Sequence, residues 1–124
     1  MKEYILIFVG GGLGASARYW LGGLVHERLG SSFAYGTLAV NVLGCVLIGL
    51  VMSTLEERFL ASPQLRLFLT IGILGGFTTF SSFSYETIAM LRSGETLYAG
   101  INVGASIVTC LVGTWLGFNI GKLF

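Results

Sequence analysis

Two stretches of this chain run for 27 and 26 residues without a charge, Leu29 to Leu55 and Thr96 to Gly121. A third, Leu67 to Tyr85, runs for 19, and a fourth, Tyr4 to about Val25, is interrupted only by Arg18. Soluble helices keep one polar face, whereas a helix that crosses a bilayer needs about 20 predominantly apolar residues. Short polar groups separate the runs: His26-Glu27-Arg28, then Glu56-Glu57-Arg58 with Pro63 and Arg66, then Arg92, Gly94 and Glu95. The expected fold is all-α and integral to a lipid bilayer. Four transmembrane helices, at about residues 4–25, 33–55, 65–91 and 96–122, form one domain over 1–124.

Charge excludes several functions. Only 10% of residues are charged, against about 25% in soluble proteins. The net charge of +1 gives no basic surface for nucleic acid. There is no Asp and a single His, His26, which removes most hydrolytic and metal-dependent catalysis, so no enzyme is expected. Cys45 and Cys110 lie in apolar runs without a CxxC or Cys/His spacing; they read as small packing residues rather than as zinc or redox ligands. Lys2 precedes a long glycine-rich apolar run, which reads as a first span rather than a cleaved signal peptide.

The run Gly75-Gly76-Phe77-Thr78-Thr79-Phe80-Ser81-Ser82-Phe83-Ser84-Tyr85-Glu86 is unlike an ordinary span. Each glycine weakens a helix by about 0.8–1.0 kcal/mol relative to alanine. Loosened backbone in lipid survives only where protein or a cavity shields it. The run predicts a third helix broken near the bilayer midplane. Such a break exposes carbonyls from one half-helix and amides from the next, which is how membrane proteins build ion sites.

Other polar residues sit within the apolar runs. Arg18, late in the first helix, either snorkels to the interface or lines an aqueous vestibule that draws in anions. Thr37 and Asn41 share a face of the second helix, and a buried Asn amide must bond to a neighbouring helix or to a solute. Asn102, Ser106 and Cys110 follow at i, i+4 and i+8 on the fourth helix, with Thr114 continuing the row. That stripe is either helix glue or a solute path. Phe80 and Phe83 point the same way, and aromatic edges are electropositive. Glu86 is the one carboxylate near the interior, in an interfacial or a proton-exchanging role.

Glycines at Gly113, Gly117 and Gly121, at Gly10 and Gly14, and at Gly36 and Gly44 mark close helix packing. Gly10-Gly11-Gly12-Leu13-Gly14-Ala15 fits G-x-G-x-x-A, but no strand precedes it and position 35 is Tyr, so a dinucleotide site is rejected. Lys2, Arg58, Arg66 and Lys122 fall on one side of the membrane, Arg28 and Arg92 on the other, with Arg18 a possible third there. So weak a bias fits insertion in both orientations with antiparallel pairing, the alternative being a single orientation with a modest excess of charge on one side.

These pieces together resemble the bacterial fluoride channel family, Fluc or CrcB. The likeness rests on Gly10 through Tyr19, Gly36 through Gly44 and, most specifically, Gly75 through Glu86, and it covers all four expected helices. It implies an antiparallel dual-topology homodimer in the bacterial inner membrane with two fluoride pores at the subunit interface. Fluoride would pass out of the cytoplasm passively, relieving its toxicity. The resemblance places Asn41, Phe80 and Phe83 in the pore and Arg18 in the vestibule. It puts a central structural sodium ion on the backbone carbonyls of Gly75 and Thr78. The polar track maps onto Asn102, Ser106 and Cys110, of which Asn102 and Cys110 depart from the tyrosine and serine found in family members. Thr37, Thr79 and Ser81 complete the expected fluoride path. A rival class, the small four-helix proton-coupled multidrug exporter, needs a carboxylate deep in the first helix, where this chain has Arg18. A non-transporting assembly subunit would leave the hydroxyl and asparagine stripes without a purpose.

Overall fold

The computed structural model describes residues 1–58 and 62–124, the side chains of Glu57 and Arg58 excepted. The charge expected at Arg58 lies outside that description. All regular structure among the described residues is helical. Helix α1 spans Lys2–Leu29 and α2 spans Tyr35–Arg58. A broken segment follows: α3 (Pro63–Leu67), a π-helical stretch Phe68–Leu74, α4 (Gly75–Phe77) and α5 (Phe80–Arg92). Helix α6 spans Thr96–Gly121.

Local chemistry sets the ends. His26-Glu27-Arg28, expected as a turn, remains helical; α1 stops only at Gly30, which takes φ 86° and donates its N–H to the His26 carbonyl over 2.8 Å. Left-handed backbone of this kind suits glycine. The third segment starts at Pro63, two residues before the expected boundary, because Ser62 caps it. The Ser62 hydroxyl accepts the Leu65 N–H at 3.1 Å, and proline costs nothing at a first helical position. Glu95 N–H donates to the Met90 carbonyl over 2.8 Å to close the turn into α6.

Three segments are long and apolar enough to cross a bilayer: Tyr35–Glu56, Pro63–Arg92 and Thr96–Gly121. Helix α1 has the length, 28 residues, but its glycine run and Arg18 dilute its apolar character. The surface is that of a membrane protein. Phe8, Tyr19, Phe80 and Leu97 are among many large apolar side chains left exposed, while the buried apolar core holds only Val40, Leu74, Phe77, Met90 and Ala99 among the described residues.

Glycine holds the helices together. Within α1 and the π-helical half of the third segment, an added Cβ at Gly10 would meet Gly72 Cα at 3.0 Å, one at Gly14 would strike the Ile73 carbonyl, and one at Gly76 would strike that of Gly11. The G-x-G-x-x-A run is therefore a packing face. Helices α2 and α6 form the most extensive pair, with Gly49 against the Thr114 carbonyl and Gly117 against that of Val46. In lipid, where apolar surface gives no drive to associate, such backbone approach and its dispersion contacts supply the packing energy.

Candidate functional site

The third segment breaks at Thr78 and Thr79, midway along its length. Thr78 takes φ −84°, ψ 155° and Thr79 takes φ −147°, ψ 113°. In an unbroken helix the Thr79 amide would bond the Gly75 carbonyl, and the Ser82 amide the Thr78 carbonyl. Both amides are diverted. Thr79 N–H donates to Asn41 Oδ1 over 2.8 Å, and Ser82 N–H donates to Thr79 Oγ1 over 3.1 Å. The Gly75 and Thr78 carbonyls therefore lose their helical donors.

Asn41 completes a two-bond clamp, its Nδ2 donating to the Thr79 carbonyl over 2.9 Å. The pair of bonds fixes the amide's orientation, since donor and acceptor ends each meet their complement. One hydrogen on Nδ2 is left over. The Gly76 carbonyl, at the C-terminal end of α4, accepts from Arg18 Nε at 3.1 Å, a favourable place for a cation. Arg18 thus caps the half-helix as well as bordering a cavity. Room for the break comes from Gly44: any Cβ there would overlap the Thr78 methyl Cγ2.

Two hollows meet at this point. A cavity of about 870 Å³ is walled by α1, α2 and α5 and bordered by Arg18, Thr37, Thr79, Ser82 and Glu86. A groove of about 480 Å³ runs along α2, the break and α6, bordered by Asn41, Thr79, Phe80, Phe83, Ser106 and Cys110. The backbone positions Gly75 and Thr78 border the groove too. Thr79 borders both hollows. The Phe80 and Phe83 rings lie 5.3 Å apart, tilted by 48°. Phe80 is 79% exposed and Leu111, on the opposite wall, 68%, so one chain leaves the groove open along one side.

Three of the residues picked from the sequence stand apart from the groove. The Thr37 hydroxyl donates to Glu86 Oε1 over 2.7 Å, on the cavity side. The second carboxylate oxygen, Oε2, is buried without a partner among the described residues. Ser81 is exposed, its hydroxyl 3.3 Å from that of Thr79. Asn102 is 1% exposed and sits in the α5–α6 seam. Its Nδ2 donates over 2.9 Å to Thr87 Oγ1, which donates in turn to the Phe83 carbonyl over 2.7 Å. The fourth-helix stripe therefore divides: Ser106 and Cys110 border the groove, while Asn102 holds the turn that bears Phe83.

The sequence reading missed Thr87, which lies one helical turn past Phe83 with no pattern to mark it. It also missed the N-cap role of Thr79. That one was legible, since a threonine opening an apolar helical run is a start signal.

The sequence matches the family described as CrcB-like protein, Camphor Resistance (CrcB), over residues 5–118. It is 54% identical over 122 residues to a protein of Geobacter sulfurreducens, covering 98% of each chain. Proteins of Geotalea daltonii and Geotalea uraniireducens are 53% and 52% identical, again over 98% of each chain. All three bear the name fluoride-specific ion channel FluC. The matched span includes the clamp asparagine, both halves of the broken helix and the α6 face that borders the groove, and this multi-pass membrane protein is a member of the CrcB family.

Proposed function

We propose that this chain is a passive, fluoride-selective channel through which fluoride leaves the cytoplasm, relieving its toxicity. The observation that supports this most is the meeting, at one helix break, of a spare Asn41 amide hydrogen, the Thr79 hydroxyl and the Phe80 and Phe83 rings. None of these is formally charged. A small anion must shed tightly held water to pass, and conduction needs binding strong enough to admit it and weak enough to release it. Neutral donors and electropositive ring edges meet both conditions. Fluoride would enter from the Arg18 cavity, where the cation raises local anion concentration, pass Thr79 and Asn41, and follow the groove along Ser106 and Cys110. Ser81 and Thr37 lie toward the rims of this path, and Asn102 acts by holding Phe83.

The same reading assigns the chain to the bacterial inner membrane as one domain over residues 1–124, with α1 as a fourth span. Two copies pair antiparallel in dual topology. The open groove wall supports pairing, because a second copy supplies the side that Phe80 and Leu111 leave uncovered. A structural sodium ion fits the carbonyls of Gly75 and Thr78, whose helical donors are diverted; hard cations prefer oxygen ligands. When bound, it would neutralise those dipoles. Liposomes loaded with potassium fluoride and bearing the purified protein test the proposal with a fluoride electrode. The expected result is rapid fluoride efflux that needs no proton gradient and leaves chloride behind. Vesicles that stay full, or empty only when a proton gradient is imposed, overturn it.

A further inference from the structure

Cys45 on α2 and Cys110 on α6 lie along the seam between these two helices and border the same groove. Cys45 Cβ lies 3.7 Å from where a Cβ at Gly113 would sit, and Gly113 is one turn from Cys110 on the same face of α6. Both cysteines are half-buried, neither is in a disulfide, and both border the groove that also holds Asn41, Thr79 and the two phenylalanines. No third Cys, His, Asp or Glu joins them among the described residues.

We propose that Cys45 and Cys110 form a two-thiol site for one soft, two-coordinate metal ion of the mercury(II), silver(I) or copper(I) class, bound across the α2–α6 seam inside the groove. Sulfur ligands select soft ions over hard ones. Zinc is excluded as the natural occupant, because it takes four ligands in structural sites and three in catalytic ones. Mercury(II) suits the surroundings best. Each thiol forms one sulfur–metal bond and releases one proton, two protons leave in all, and nothing is oxidised or reduced. The product is a neutral dithiolate, which an apolar groove accepts where it would reject a naked charge. A metal seated there stands between Asn41 and the Ile107–Leu111 wall and blocks the groove. That second consequence rests on the groove being the fluoride path; the binding itself does not.

Mercury(II) nitrate is the probe, with the purified intact protein. Titration should give one mercury per chain, read as ultraviolet thiolate-to-metal absorbance, and Cys45→Ser and Cys110→Ser should each lose the two-thiol form. A competing monothiol should strip the metal from either single variant at a concentration at least tenfold lower than from the parent. In fluoride-loaded liposomes one equivalent should slow parent efflux at least tenfold, reversed by dithiothreitol, while each variant keeps its own metal-free rate after a monothiol wash. Where a variant does not fold, the parent alone decides: phenylarsine oxide, which closes on two thiols with loss of water, should block mercury uptake when added first, and one N-ethylmaleimide per chain should be enough to abolish the two-thiol form. Equal stripping of parent and variants, or two mercury ions per chain, overturns the paired site. Tight one-to-one binding with undiminished efflux supports the site and instead removes the groove as the conduit.

Discussion

Asn41→Asp changes one amide to a carboxyl of nearly the same shape, and the Asn41–Thr79 clamp predicts a pH-dependent channel. As a carboxylate, residue 41 still accepts the Thr79 N–H now held at 2.8 Å, but it has no hydrogen for the Thr79 carbonyl, now 2.9 Å from Nδ2. One bond is lost and two acceptors are forced together, a cost of about 1–3 kcal/mol. The effect on the ion is larger. A fluoride held at that corner sits ~4 Å from the new charge. At an effective dielectric constant of about 20 the repulsion is about 4 kcal/mol, or roughly a thousandfold in rate. Protonation reverses both penalties, because the acid O–H donates to the Thr79 carbonyl while the acid C=O accepts the Thr79 N–H. Conduction by Asn41→Asp should therefore be present where the side chain is protonated and be lost as rising pH ionises it. The parent should be flat over the same range. The assay is fluoride efflux from liposomes at a series of pH values kept above those where hydrogen fluoride, which crosses lipid unaided, accumulates. Efflux near the parental rate at high pH would refute contact between residue 41 and the ion. Loss at every pH, with the protein still folded and monodisperse, would refute the clamp.

Three further outcomes are expected. Gly44→Ala drives a methyl into Thr78 Cγ2 and should cost about 1–3 kcal/mol through overpacking and slow efflux; adding Thr78→Ser, which removes that methyl but keeps the hydroxyl bonded to the Leu74 carbonyl, should recover most of both, as thermal unfolding and efflux report. Thr87→Val strands the buried Asn102 amide and frees the Phe83 carbonyl, lowering stability by about 1–3 kcal/mol, whereas Thr87→Ser should behave as the parent in the same melts. Gly117→Ala meets the Val46 backbone carbonyl, which cannot yield as a side chain would, and should lower the unfolding temperature, while Gly12→Ala, with open space around it, should leave it unchanged or raise it.

How much was legible in advance depended on the range of each interaction. Uncharged runs marked the apolar segments because lipid imposes a length that composition alone reveals. The break was legible in Gly75-Gly76 and the hydroxyls after it, since both oppose a continuous helix. Its position was not: Gly75 and Gly76 stay helical and the chain opens three residues later, where Asn41, 38 residues away in sequence, captures the Thr79 amide. The π-helical stretch before it had no sequence signal either; it packs closely against Gly10 and Gly14 of α1. Asn102 was legible as a buried polar residue, but the stripe could not say whether it faced a solute or Thr87. A stripe gives a face, and only the neighbouring helix decides what that face meets.

The break explains why donor and acceptor chemistry occur together here. A helix interrupted in lipid must find partners for the carbonyls that end one half and the amides that begin the next. This chain pairs two of those amides with side chains, Asn41 for Thr79 and Thr79 for Ser82. Each pairing orients a polar group beside the groove and each leaves a carbonyl without its amide, at Gly75 and at Thr78. A donor-rich site suited to an anion and a pair of acceptor oxygens suited to a cation are thus two results of one diversion. Restoring the helix across Thr78 and Thr79 would abolish both at once, and weakening the Asn41 clamp alone should disturb the Gly75 and Thr78 carbonyls as well as the proposed anion path.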